Sequence, residues 1–256
     1  MGDCMNWLKQ QQAWVRTVVF SSAAIVLAGL ITLLSIAVIA PAVAFARAGA
    51  LISSDPAGAF ESFQRMGDRR NAAERAAQIQ ADVIASRTEP TMEFAGDTWL
   101  VLEQRDGRAL LLLESVLPQA VAYHQAFEDI TWEESDLRAF LNDAFLQGFG
   151  EQYRARIVPT QLVNRNHADY GTRGGANTTD YVFLLSIAEA RLYFATDFDR
   201  VAQSGSTNVF WWLRSPGLYQ NLAATVLANG EVGFAGSPVN GALGARMVRP
   251  AIWVTL

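Results

Sequence analysis

Thirty consecutive residues, Thr17 to Ala46, carry no charge at all. A helix crosses the hydrocarbon core of a bilayer with about 20 apolar residues at roughly 1.5 Å rise each. The run therefore predicts a transmembrane helix over residues 17–46. Lys9 and Arg16 precede it and place residues 1–16 in the cytoplasm, with everything after Arg47 outside. Pro41 followed by Ala44-Phe45-Ala46 also reads as the small-residue cleavage site of a secretory signal, which would release a secreted protein cut near Ala46. The apolar core from Thr17 to Ala40 exceeds the ~7–15 residues of a signal core, and that favours a retained single-pass anchor in the cell membrane.

Composition narrows the classes further. Hydrophobic residues make up 51% of the 256-residue chain and charged residues 18%, which excludes a disordered polyelectrolyte. A net charge of -5 argues against a surface that neutralises nucleic-acid phosphates, so no nucleic-acid partner is expected. The single cysteine, Cys4, falls on the cytoplasmic side. The exported part then has no disulfide, no thiolate metal ligand and no cysteine nucleophile.

Two regions follow the apolar run. Residues 47–90 form a helical stalk or linker, in which Pro56 to Arg87 read as one helix capped by Asp55, with Gly67 the one internal breaker. This helix serves either as a spacer from the membrane or as a surface helix packed on the domain. Residues 91–256 change to short strands and tight turns. Asp106-Gly107 joins Thr98–Glu103 to Arg108–Leu113 with a strong hairpin signal, and Asn229-Gly230 joins Ala223–Leu227 to Glu231–Ala235 with type I′ chemistry. Thr131 with Glu134, and Ser186 with Glu189, have capping-box spacing and open two main helices. Ala251 to Leu256 is a closing strand able to pair with the first. The fold class is α+β, loop-rich, with short antiparallel strands.

Catalytic patterns are sparse. With two histidines, His124 and His167, zinc would need carboxylate ligands, and His167-Ala168-Asp169 is the one near cluster, so no metal site is expected. No Gly-x-Ser-x-Gly elbow or phosphate-binding glycine pattern occurs. Glu133-Glu134 suits a helix N-terminus. Asp197-Phe198-Asp199 could join loop carbonyls around calcium but lacks EF-hand spacing, and no resident cofactor is expected. A hydrolase would have to draw on Asp197, Asp199, His167 or Glu133.

Asn208 to Gly217, reading Asn-Val-Phe-Trp-Trp-Leu-Arg-Ser-Pro-Gly, is the most distinctive segment. Alternation in a strand sends Trp211 and Trp212 to opposite faces, so Trp211 can enter the core while Trp212 meets a sugar or aromatic ligand. The structural alternative buries both rings and pairs Arg214 with a carboxylate such as Asp180.

The order of these segments carries a resemblance. Trp132…Leu137-Arg138-x-Phe140-Leu141-Asn142…Phe145, Thr179-Asp180-Tyr181-Val182-Phe183-Leu184-Leu185-Ser186…Glu189, Trp211-Trp212-Leu213-Arg214-Ser215-Pro216-Gly217 and Val248-Arg249-Pro250-Ala251 resemble a bacterial domain of unknown function common in exported and phage-encoded proteins. That domain is distantly similar to the C-type-lectin-like fold of formylglycine-generating enzymes and retroelement-diversified variable proteins. The resemblance spans Thr91 to Leu256, with Ala245-Arg246-Met247 where the family more often has glycine before Val-Arg-Pro. Formylglycine-generating enzymes use active-site cysteines, which the exported region lacks, so that catalysis is not carried over. The resemblance implies instead a non-catalytic module displaying loops to a glycan, a cell-envelope polymer or a surface protein. Trp212, Tyr219, Gln220, Asn221 and Asn229 are the expected ligand-binding residues, with Trp211, Arg214 and Asp180 structural. A structural or partner-docking subunit of a membrane complex is the alternative.

Overall fold

In the computed structural model, Asp106 and Gly107 both take positive φ, 51° and 69°. A two-residue type I′ turn requires this pair of left-handed residues. The turn joins β2 (Asp97–Arg105) to β3 (Arg108–Leu113). The structure describes residues 38–242 and 246–256, with isolated positions before residue 38. Most of the apolar run 17–46 thus lies outside the described residues. Among the described residues no helix is long and apolar enough to cross a membrane.

The chain forms two compact units, residues 1–73 and 74–256. In the first, helix α1 (Ala40–Leu51) and helix α2 (Pro56–Met66) meet through Phe45 and Phe63, whose rings lie edge-on at 5.0 Å. Asp55 caps α2, its Oδ1 accepting from the Gly58 amide at 3.0 Å. The single helix expected from Pro56 to Arg87 is two. Gly67 adopts φ 58°, ψ -136°, a conformation that a side chain disfavours, and Arg70 and Asn71 are also left-handed. The helix therefore ends at Met66 and restarts as α3 (Ala72–Ala85).

The part of α3 inside the second unit is docked on that unit. Ala76, Ile79 and Val83, spaced at helical intervals, are buried. Gln80 donates to the carbonyls of Arg191, Leu192 and Phe194, and Arg87 to those of Leu102 and Tyr193. From Glu74 to Ala85 the helix thus packs on this unit as a surface helix does.

The main sheet runs β1 (Thr91–Phe94), β2, β3, β13 (Ala251–Thr255), β4 (Ile157–Val158), with β7 (Val182–Phe183) sharing the outer edge of β13. The closing strand pairs with β3 rather than with the first strand, placing Ile252 opposite Leu111 and Trp253 opposite Leu110. The reason is apolarity on both faces. Ala109 to Leu113 form an unbroken buried run, as a central strand requires, and β1 already occupies the free edge of β2.

Three smaller antiparallel groups complete the unit: β5 (Thr160–Leu162) with β6 (Thr178–Asp180), β8 (Ala202–Ser204) with β9 (Thr207–Val209), and the sheet β10 (Trp211–Pro216), β11 (Leu222–Val226), β12 (Val232–Pro238). The architecture is mixed α+β with short antiparallel strands and several helices. The helices of this region are shorter than expected: α4 (Asp136–Phe140), α5 (Glu151–Arg154), α6 (Ile187–Leu192) and α7 (Asp197–Arg200). Ser135, not Thr131, caps α4, its hydroxyl accepting from the Arg138 amide at 3.2 Å. Trp132–Glu134 form a single 3-10 turn ahead of it. The box at Ser186 and Glu189 forms as read.

Candidate functional site

The Trp-Trp-Leu-Arg-Ser segment is strand β10, and both tryptophans are fully buried. Trp212 is therefore not a surface contact. Its indole N–H donates to the Val121 carbonyl at 2.9 Å, and its ring meets Tyr123 edge-on at 5.8 Å. On the other side, Trp211 donates to the Arg200 carbonyl at 3.1 Å beneath the Arg249 guanidinium, 5.3 Å from its ring. Alternation placed the rings on opposite faces of the strand, but both faces of β10 are covered.

The buried charges are wired differently from the expected Arg214–Asp180 pair. Arg214 grips Glu189 through both terminal nitrogens, one of them 2.8 Å from Oε1, and also donates to the Leu184 carbonyl. Burial alone would raise the Glu189 pKa; attraction and hydrogen bonding from Arg214, the Ser186 amide and the charge of Arg165 outweigh it and hold the carboxyl below its ordinary value. Asp180 instead accepts from the Trp132 indole (2.8 Å), Arg138 Nε (2.7 Å) and the Thr178 hydroxyl (2.9 Å). Asn142, in a π-helical turn after α4, clamps β7 by accepting from the Tyr181 and Val182 amides and donating to the Val182 carbonyl. The distinctive residues Trp132, Arg138, Asn142, Asp180, Glu189, Trp211 and Arg214 are thus internal wiring.

Above this frame, three loops are stitched together by one side chain. Gln220 Nε2 donates to the carbonyls of Ile130 (3.0 Å) and Arg173 (2.9 Å), while its Oε1 accepts from the Arg173 amide (3.2 Å). The Thr172 hydroxyl adds a bond to the Leu218 carbonyl at 3.0 Å. Gly217 lets the chain turn in tightly, since a Cβ there would stand 2.4 Å from the Ala235 carbonyl oxygen. On these loops Tyr219 is 64% exposed, Phe127 56%, Tyr170 44% and Leu218 36%. Apolar side chains held outward on fixed backbone form a surface suited to stacking against a ligand.

Of the residues expected at a binding surface, Tyr219 is exposed and Gln220 is the clip between loops. Asn221 is half-buried, its carbonyl accepting from the Val239 amide at 3.2 Å. Asn229 sits at the opposite end of β11, where its side chain accepts from the Glu231 amide and the adjoining Gly230 packs against α7. The structure therefore does not bring Asn229 to the Gln220 loops. Phe127 and Tyr170 were not singled out in the sequence, although isolated aromatics in polar loops are a visible signal.

The residues available to a hydrolase are each occupied locally. His167 is buried, its Nδ1 accepting from the Asp169 and Tyr170 amides while its ring stacks on Tyr170 at 4.5 Å. Asp199 caps α7 with Thr196, Asp197 bonds Arg200, and Glu133 accepts from the Ala176 amide. Among the described residues no three His, Cys, Asp or Glu side chains gather as a metal site.

No curated protein and no solved structure matches the chain. One family model does, over residues 106–256, the stretch that contains the Gln220 loops, β10 and the closing strand. The chain thus belongs to the family described as Domain of unknown function (DUF6273).

Proposed function

We propose that this chain is a non-catalytic recognition module, exported and held at the cell membrane by residues 17–46, that offers the Gln220-clipped loops to a glycan or cell-envelope polymer. The observation that carries the reading is the set of outward aromatic rings, Phe127, Tyr170 and Tyr219, on loops whose backbone is fixed by Gln220. An aromatic face stacks on the apolar face of a sugar ring, and a pre-fixed loop loses less entropy on binding. Kinship with the C-type-lectin-like fold belongs to the same reading and rests on the Trp-Leu-Arg-Ser strand and the Val-Arg-Pro-Ala ending. Surface proteins are the other class of partner.

The test is a binding screen of the full chain in detergent against glycan and envelope-polymer arrays, with and without calcium. A specific hit that is lost in the Tyr170→Ala, Tyr219→Ala double variant supports the assignment. A hit unaffected by that variant places recognition elsewhere.

A further inference from the structure

A second site, separate from the loop face, is built around α7. This single turn is pinned on both sides: Thr196 and Asp199 exchange capping bonds at 2.9 and 3.3 Å, and buried Arg200 donates to the Gly230 carbonyl at 2.9 Å and to Asp197. A turn so fixed still holds Phe198 with 82% of its surface in water. The ring lines a cleft of about 570 Å³ together with Leu100, Glu114, Asp199, Gln203 and Arg249. That volume lies within the usual range of small-molecule sites.

Arg249 is 2% exposed. It donates to the carbonyls of Leu113 (2.9 Å), Glu114 (2.9 Å) and Arg200 (3.3 Å), and a guanidinium has five donors, so two N–H groups remain. Burial brings it down to about 10 against the opposing pull of Glu114, so it is still a cation at neutral pH, balanced by dipoles. The cleft therefore combines a cationic group, two exposed carboxylates and an aromatic platform. A simple anion would meet the carboxylates of Glu114 and Asp199, and a simple cation would meet Arg249. A molecule carrying both charges answers all three groups.

We infer that this cleft binds a small zwitterion, an α-amino acid or dipeptide with an aromatic or large apolar side chain. Its carboxylate faces Arg249, its ammonium faces Glu114 and Asp199, and its side chain stacks on Phe198. This goes beyond the loop-face reading and uses none of its residues.

Calorimetric titration of the full chain tests it with four probes: phenylalanine, diphenylalanine, phenylalaninamide and N-acetylphenylalanine. The zwitterions saturate the protein, and the tighter of the two says whether the site takes a free amino acid or a dipeptide. Each blocked analogue, and each of the exposed-site variants Phe198→Ala and Glu114→Gln, weakens binding about tenfold or more. Absence of saturable binding by either zwitterion overturns the inference. So does a blocked analogue that binds as well as its parent, or a Phe198→Ala variant that binds as the wild type does.

Discussion

One carboxylate, that of Glu189, holds both the guanidinium of Arg214 and the first turn of helix α6. Oε1 lies 2.8 Å from an Arg214 nitrogen, and Oε2 accepts from the Ser186 amide at 2.8 Å. The cap that starts the helix and the charge pair that anchors β10 are thus the same side chain. Glu189→Gln leaves Arg214 buried without its counter-charge, and removing one member of such a pair costs about 3–5 kcal/mol. Chemical denaturation measures this directly.

The same pair sets an acid limit. The folded carboxyl of Glu189 lies below its ordinary value, so its contribution is fully present above the unfolded pKa of about 4.3 and is lost as pH falls through the lower folded value. Wild-type stability therefore declines on acidification below that window. The Glu189→Gln protein shows a shallower decline there, which a series of denaturant melts between neutral and strongly acidic pH reads out.

Two glycines of similar backbone conformation separate strain from collision. Gly171 has φ 71° with open space around a built Cβ, whereas Gly230 has φ 86° with the Asp197 carbonyl oxygen 1.7 Å from that position. Gly171→Ala is expected to cost about 1–2 kcal/mol from the left-handed conformation alone. Gly230→Ala must also displace α7, and its thermal midpoint falls well below that of Gly171→Ala. Equal midpoints would refute the packing of the turn on α7.

Burial divides the aromatic residues of β10 and the loop after it. Trp212→Ala opens a cavity beside Tyr123 and costs about 3–5 kcal/mol. Tyr219→Ala, at 64% exposure, changes stability by no more than about 0.5 kcal/mol. Parallel denaturation curves of the two variants check the contrast.

Gln220→Ala removes the side-chain acceptor of the Arg173 amide but leaves the main-chain carbonyl that receives the Ile130 amide at 3.2 Å. Amide exchange at Arg173 should accelerate, with that at Ile130 changing less. Uniform acceleration at both would mean that the loops are not clipped by this side chain.

Local chemistry was legible in the sequence, and long-range covering was not. Asp106-Gly107 folds as the hairpin turn it spells, and Ser186 with Glu189 forms its cap, because each needs only neighbours within a few residues. Asn229-Gly230 also joins two paired strands, but only Gly230 is left-handed and the connection is the three residues Ala228 to Gly230 between Leu227 and Glu231, not the two-residue type I′ turn expected. Thr131 had the same spacing with Glu134, but Ser135 one turn later offers a competing hydroxyl and wins the helix start. The fate of Trp212 depends on Val121 and Tyr123, ninety residues away, which no period-two pattern encodes. Likewise the carboxylate expected beside Arg214 was Asp180; the fold brings Glu189 there instead and gives Asp180 to Arg138. The break after Met66 turned on Gly67 together with left-handed Arg70 and Asn71, of which only the glycine is a visible breaker.

Strand β13 follows every other strand in the chain order yet lies between β3 on one edge and β4 with β7 on the other. The middle of the main sheet is therefore supplied last. Until residues 251–255 arrive, the edges of β3, β4 and β7 have no partner, and the apolar run Ala109–Leu113 has nothing to close against. Contacts of such long sequence separation fold slowly. A sheet ordered this way stays open at its centre until β13 pairs, so loss of that one strand would separate β1–β3 from β4 and β7.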